Sequence, residues 1–220
     1  MIRFLPATEF IFVVFFFVVL PILTRTPSES QSEFSINFSF FSFFMFLLCA
    51  LLFYFHRNLY KKKYSSAVPT LKKHSDALIS FGLLFLISCS FELAQFLLLK
   101  KGFDFKIAKL VFDFNFFSTI SLLASLICAS FCEEIFYRFY LPDFAKEIFS
   151  KNKITDFFIE AISVFAFAVG HIYLGLFGFL NAFFSGIVLR FLLIKAKSIW
   201  LCFLVHCLYN LLTFVILQAI

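Results

Sequence analysis

Charged residues are scarce in this chain of 220 residues: they make up 15% of the sequence, whereas soluble domains carry about 25%. Hydrophobic residues make up 62%, and phenylalanine alone contributes 41 positions. This shortage of charge excludes a sizeable soluble domain. A helix needs about 20 apolar residues to cross the hydrocarbon core, so the chain has room for about seven spans and little else.

Loop cysteines, which would form an extracellular disulfide framework, are also missing. All six cysteines lie in apolar segments, where a thiol is most often a small buried hydrophobe. They are Cys49, Cys89, Cys128, Cys132, Cys202 and Cys207. Because Cys132 and Cys207 adjoin polar candidate residues, a metal site in that neighbourhood stays open as an alternative.

The apolar segments predict an all-α, polytopic membrane helix bundle that forms one structural domain. The expected spans are about 5–23, 34–55, 77–99, 110–132, 156–174, 177–194 and 199–218. A polar loop is expected at 24–33 and a basic loop at 56–76. The net charge of +6 lies largely in such short connectors, which indicates contact with anionic lipid surfaces and no nucleic acid.

Two adjacent carboxylates stand in the sequence CEEIFYR, at the end of the fourth apolar segment. An ionised side chain at the bilayer centre costs roughly 2.5–3.5 kcal/mol on insertion scales, so it is retained where it is used or neutralised. On a helix, Glu134 and Arg138 are one turn apart and can pair, whereas Glu133 points about 100° away. We therefore predict Glu133 as a general base supported by the other two residues. A purely structural ion cluster is the alternative.

Two histidines in later apolar segments extend this set. Phe167 and His171 share a helix face at four-residue spacing. His206 and Asn210, also one turn apart, present two donors in the same direction, which suits a developing oxyanion. Each pair alone is more readily explained by core packing or an interhelical hydrogen bond. Together with Glu133, they predict an active site assembled from separate helices.

Glu133 and His171 can meet only at a common depth in the membrane. A turn near Asn152 places both the same number of residues away, about 28 Å of helix at 1.5 Å per residue. This arrangement predicts a helix over about 110–149. Because proline fits a first helical turn, we expect that helix to kink or restart at Pro142.

The patterns EExxxR, FxxxH and HxxxN, in this order on successive membrane segments, resemble the CAAX prenyl protease and bacteriocin-processing (CPBP, or Abi) family of intramembrane glutamic endopeptidases. The similarity covers roughly residues 117–214. Residues 1–105 would supply N-terminal transmembrane helices without a specific motif, and residues 106–220 the catalytic helix core. Phe139 is a departure, since family members commonly have glycine there.

The resemblance implies that Glu133 activates a water with help from His171. It implies that His206 and Asn210 stabilise the tetrahedral oxyanion. It assigns supporting roles to Glu134, Arg138 and Phe167, and it implies neither a cofactor nor a metal. From the residues themselves, polar side chains on the sixth span, Asn181 and Ser185, are expected to line a water-filled cavity.

Signatures of other intramembrane proteases are missing, namely HExxH, GxSG and GxGD. Three alternatives remain. Glu133, His171 and His206 could hold a zinc ion in a hydrolytic centre. A small transporter or channel could use an ion path through intramembrane polar residues, and these would be Glu92, Gln95, Asp113, Glu160 and Arg190. The last alternative is a non-catalytic membrane scaffold.

The expected partners are the lipid bilayer and peptide or protein substrates within it. The resemblance allows prenylated C-terminal peptides, bacteriocin leader peptides or other membrane-associated proteins as substrates. A short chain without a soluble domain suggests a bacterial member, so the expected location is the bacterial cytoplasmic membrane.

Overall fold

Helices dominate the computed structural model, which describes residues 4–20, 23, 33–34, 38–103, 109–110, 112 and 115–219. The helices are α1 (Phe4–Val14, continued as a π-helix over Phe15–Val19), α2 (Phe40–Tyr64), α3 (Thr70–Lys100), α4 (Phe116–Glu133), α5 (Ala145–Phe149), α6 (Lys153–Val169), α7 (Gly175–Ala196) and α8 (Ile199–Ala219). A π-helical segment, Glu134–Phe144, joins α4 to α5 without interruption. Two-residue strands, β1 (Glu33–Phe34) and β2 (Lys109–Leu110), pair in parallel. The prediction of an all-α membrane bundle is confirmed.

The helices have the length and composition of membrane spans. Four candidate spans occur among the described residues: Phe40–Tyr64, Thr70–Lys100, Phe116–Phe149 and Ile172–Ala196. Two shorter apolar helices cover Pro6–Val19 and Ile199–Val215. Large apolar side chains are exposed along these helices, as expected for surfaces that face lipid. The chain is therefore an integral membrane protein, while the number of seven spans stays a prediction.

The basic loop predicted at residues 56–76 is wrong in its extent. α2 continues to Tyr64 and α3 begins at Thr70, which leaves residues 65–69 as the connector. Three lysines, residues 61–63, occupy the last turn of α2, where cations interact favourably with the free carbonyls. Lys and Arg are also good helix formers, so a basic stretch at a membrane surface need not be a loop.

Of the kink or restart predicted at Pro142, the restart is wrong, because a continuous helix runs over Phe116–Phe149, and the kink stays a prediction. It begins after Asn115, whose side chain caps the first turn, a few residues later than expected. Proline lacks an N–H and its ring clashes with the carbonyl four residues back in an α-helix. The wider π-helical register over Glu134–Phe144 relieves this clash, so the chain needs no restart.

The π-helical segment lies at the centre of the bundle and contacts α2, α6, α7 and α8. Phe136 and Tyr140 pack against α1, and Ile135 and Phe139 belong to the main apolar core. Burial on several sides fixes this segment within the fold. The residues of the CEEIFYR sequence are therefore held by the core and not by a flexible loop.

α6 follows α5 after a short turn, packs against the π-helical segment and ends abruptly. Asn152 caps its first turn by accepting from Thr155 N at 2.9 Å, in agreement with the predicted turn. α6 ends at Val169, and a single 3₁₀ turn leads to Gly175, whose φ of +83° favours glycine. This tight connection carries His171.

Candidate active site

Glu133 lies between two imidazole rings at the end of α4. Its Oε1 is 3.9 Å from His171 Nε2, and its Oε2 is 3.5 Å from His206 Nε2. The Glu133 side chain keeps 24% of its surface exposed, whereas that of His206 keeps 4%. The common depth expected for Glu133 and His171 is thus observed, and a third segment, α8, contributes to the same point.

His171 lies outside α6, which corrects the prediction that it shares a helical face with Phe167. Its backbone N–H donates to Ala168 O at 2.9 Å, and its Nδ1 lies 2.9 Å from Phe167 O. A backbone carbonyl can only accept, so Nδ1 carries the hydrogen in this contact. The side chain therefore caps the carbonyl end of α6 and presents Nε2 to Glu133.

Glu134 is fully buried, and its hydrogen bond goes to His206. Glu134 Oε1 lies 2.8 Å from His206 Nδ1, whereas the nearest Arg138 nitrogen, Nε, is 3.7 Å away. The predicted pairing of Glu134 with Arg138 is present as an ion pair without a hydrogen bond. With Glu134 ionised, His206 Nδ1 is the donor, so this carboxylate fixes the orientation of the ring.

Phe167 covers the buried Arg138. The Arg138 guanidinium carbon lies 3.9 Å from the centre of the Phe167 ring, a cation–π contact. Within the described part of the chain, none of the three guanidinium nitrogens has a hydrogen-bond partner. The Phe167 ring also contacts the imidazoles of His171 and His206, at centroid distances of 4.6 and 6.2 Å. A single aromatic ring therefore contacts Arg138 and both histidines.

Asn210 lies one turn beyond His206 and is held by a residue that the sequence analysis missed. Its Nδ2 donates to Ser130 Oγ at 3.1 Å, and Ser130 is fully buried. Ser130 precedes Glu133 by three residues, so the two share one face of α4. This three-residue spacing from Glu133 was the only sequence feature that indicated Ser130. Serines are common in apolar helices, so the spacing alone did not distinguish it.

The polar residues expected to line a cavity make contacts with α8. Asn181 Nδ2 lies 2.8 Å from Tyr209 Oη, and Ser185 Oγ lies 3.5 Å from Asn181 Oδ1. Ser185 is buried and Asn181 is partly buried. These contacts join α7 to α8 beside the site, and Tyr209 is a further residue that the sequence analysis did not select.

Two residues of the proposed ion path instead form a dense ion-pair network. Arg190 contacts Glu160 at 2.6 Å and Asp143 at 2.9 Å, and Lys146 reaches Glu160 at 2.5 Å. Tyr64 donates to Asp143 at 2.6 Å. A charge held by several partners is typical of structural support. Of the other path residues, Glu92 and Gln95 lie in α3, and Asp113 lies outside the described residues.

The ligands of the zinc alternative, Glu133, His171 and His206, do converge. However, the described residues contain no group of three or more His, Cys, Asp or Glu side chains that could hold a metal ion. Each imidazole also uses its Nδ1 in a hydrogen bond, which leaves one nitrogen on each ring facing Glu133. Metal independence stays a prediction.

The comparison with known families points to one family. Residues 115–212 match a family described as type II CAAX prenyl endopeptidase Rce1-like. No curated protein and no solved structure gives a significant match to the chain. The matched segment begins at the cap of α4 and ends within α8, so it contains all the predicted site residues. This match over residues 115–212 agrees with the resemblance to the CAAX prenyl protease family that the three motifs indicated.

Proposed function

We propose that this protein is an intramembrane glutamic endopeptidase in which Glu133 and His171 activate the attacking water. The family implies protease activity of the CAAX type in a membrane. The observation that carries the finer proposal is the position of Glu133, 3.9 Å from His171 Nε2. This gap is too long for a direct hydrogen bond and suits a water between two acceptors.

The hydrolytic step uses the hydrogen-bonding state of each ring. Because the hydrogen on Nδ1 of His171 points to Phe167 O, neutral His171 has a lone pair on Nε2. A water can donate one hydrogen to that nitrogen and the other to Glu133. As the water oxygen bonds to the peptide carbon, its proton passes to Glu133 and the carbonyl electrons move to oxygen.

The resulting oxyanion is assigned to His206 Nε2 and Asn210 Nδ2. His206 donates from Nδ1 to Glu134, so a second proton on Nε2 makes the ring an imidazolium, whose charge the buried Glu134 offsets. Donors fixed before the reaction stabilise charge that develops in the transition state. When the carbon–nitrogen bond breaks, Glu133 returns the proton to the leaving amine.

The substrate class is a peptide bond within a membrane-associated protein. Because the family processes CAAX-type substrates, a prenylated C-terminal peptide is the first substrate to test. A bacteriocin leader peptide is the second. The apolar helices support a location within a membrane, and we propose the bacterial cytoplasmic membrane. The site requires neither a cofactor nor a metal in this proposal.

The deciding experiment compares membrane-associated peptides in cells that express the wild type, Glu133→Gln or His171→Ala. Both variants should abolish cleavage while the protein still accumulates in the membrane, because each removes a group that contacts the attacking water. Cleavage products should accumulate with the wild type and disappear with both variants. Turnover by purified Glu133→Gln at the wild-type rate would contradict the mechanism.

A further inference from the structure

We propose that Arg190 is a positioning residue of the active site, which acts by donating a hydrogen bond to the backbone carbonyl of Arg138. This inference rests on the proposed function. Arg190 Nη1 lies 2.5 Å from Arg138 O, and Arg190 itself is buried in α7. It belongs to none of the three motifs that define the site.

The carbonyl of Arg138 is unusual because Pro142 lies four residues after it. In an α-helix the N–H at that position would donate to this carbonyl, but proline has none. In the π-helical register, the Arg138 carbonyl pairs with the N–H of the residue after Pro142. Arg190 supplies a second donor to the same carbonyl from outside the helix. A side chain thus compensates for the backbone donor that proline removes.

Arg190 can donate to this carbonyl because hydrogen bonds from its other nitrogens hold the guanidinium in place. Nε donates to Glu160 Oε2 at 2.8 Å, and Nη2 donates to Glu160 and to Asp143 at 2.6 and 2.9 Å. Nη1 also lies 2.9 Å from Tyr64 Oη. A planar fork with five donors can satisfy several acceptors at once, whereas a lysine ammonium provides only one nitrogen.

The hydrogen bond from Arg190 to the Arg138 carbonyl positions the part of the helix next to the catalytic residues. Arg138 is the ion-pair partner of Glu134, which in turn orients His206. A shift of the Arg138 backbone therefore moves the ring assigned to the oxyanion. A displacement of about 1 Å in an active site can cost roughly 100-fold in rate. Arg190 is consequently expected to affect kcat more than substrate binding.

The first test is Arg190→Lys, which keeps the positive charge beside Asp143 and Glu160 but loses the fork. With a fluorogenic farnesylated CAAX peptide in lipid nanodiscs, kcat should fall about 10- to 100-fold while KM changes less than about twofold. Tyr64→Phe is the matched control: it removes two hydrogen bonds of the same network, to Asp143 and from Arg190, leaves the Arg138 carbonyl contact, and should retain kcat. Equal losses of kcat in both variants would assign Arg190 to general support of the network and overturn the inference.

The second test restores the missing backbone donor. Pro142→Ala supplies an N–H four residues after Arg138, so in the Arg190→Lys background it should recover most of the lost kcat. Pro142→Ala alone should remain close to the wild type. A double variant that is as slow as Arg190→Lys, or slower, would contradict the proposed route through the carbonyl.

Hydrogen exchange gives a readout that does not depend on turnover. Amides of residues 138–149 should exchange faster in Arg190→Lys than in the wild type and in Tyr64→Phe, and Pro142→Ala should reverse this change. Unchanged exchange in Arg190→Lys would overturn the inference whatever the kinetics. If Glu133→Gln cleaves the peptide like the wild type, the proposed function fails instead, so the two failures are distinguishable.

Discussion

His206 Nδ1 and Glu134 Oε1 lie 2.8 Å apart in the centre of the bundle, and the Glu134 side chain has no exposed surface. The two adjacent glutamates therefore have different surroundings. Glu133 remains partly exposed and faces both histidine rings, as a group that contacts water must. Glu134 is enclosed, so we propose that it orients one ring and balances its charge.

Replacing Glu134 by Gln should lower kcat by about 10- to 100-fold and should also destabilise the protein. The amide cannot balance an imidazolium, and it leaves the buried Arg138 without its anion. Breaking a buried ion pair on one side costs roughly 3–5 kcal/mol. Thermal unfolding in detergent and peptide cleavage measure the two effects, and a Glu134→Gln protein with wild-type stability and kcat would contradict this role.

Replacing Asn210 by Ala should reduce kcat by about 100- to 1000-fold, the usual cost of one oxyanion donor, with little effect on KM. Ser130→Ala is the matched variant, because it removes the contact that holds Asn210 Nδ2 but keeps the amide itself. It should cause a smaller loss of kcat, about 10-fold by loss of orientation. Similar rates for Asn210→Ala and the wild type would exclude the oxyanion assignment.

Replacing Gly178 by Ala should destabilise the start of α7 and reduce activity. An added Cβ would overlap Leu174 Cβ, in the turn that carries His171. Overpacking of this kind typically costs about 1–3 kcal/mol. Gly82→Ala in α3 is the control, since its Cβ would meet nothing within 4 Å, and it should be neutral or slightly stabilising. Thermal unfolding of both variants tests the comparison.

Strong chelators should leave peptide cleavage unchanged, because a glutamate base needs no Lewis acid to activate water. The measurement is the rate before and after treatment with EDTA and 1,10-phenanthroline, together with the metal content of the purified protein. Loss of activity that zinc restores would favour the alternative in which Glu133, His171 and His206 are metal ligands.

Several features of the fold could be predicted because they depend on local chemistry. Runs of apolar residues predict membrane helices wherever they occur. The spacing from Asn152 correctly predicted that Glu133 and His171 meet, since helix rise is nearly constant. Helix ends were less predictable. The lysines that end α2 favour both a helical turn and a surface loop, and only the packing of the bundle decides between them.

The parts of the site that could not be predicted depend on contacts between distant segments. Glu134 had a near neighbour in sequence, Arg138, but its hydrogen bond goes to a ring on α8. Ser130 had no feature to separate it from other serines in apolar helices. Arg190 looked like an ion-path residue, because an isolated intramembrane charge gives no indication of its partners.

The sequence by itself determined that this protein is a membrane helix bundle, because that property follows from its composition. Its three motifs, each a short spacing along the chain, resemble those of one protease family. Only the tertiary structure decided the partner of Glu134, the support for Asn210 and the donor for the carbonyl beside Pro142. Each of these is set by the distance between helices far apart in sequence, which no local pattern encodes.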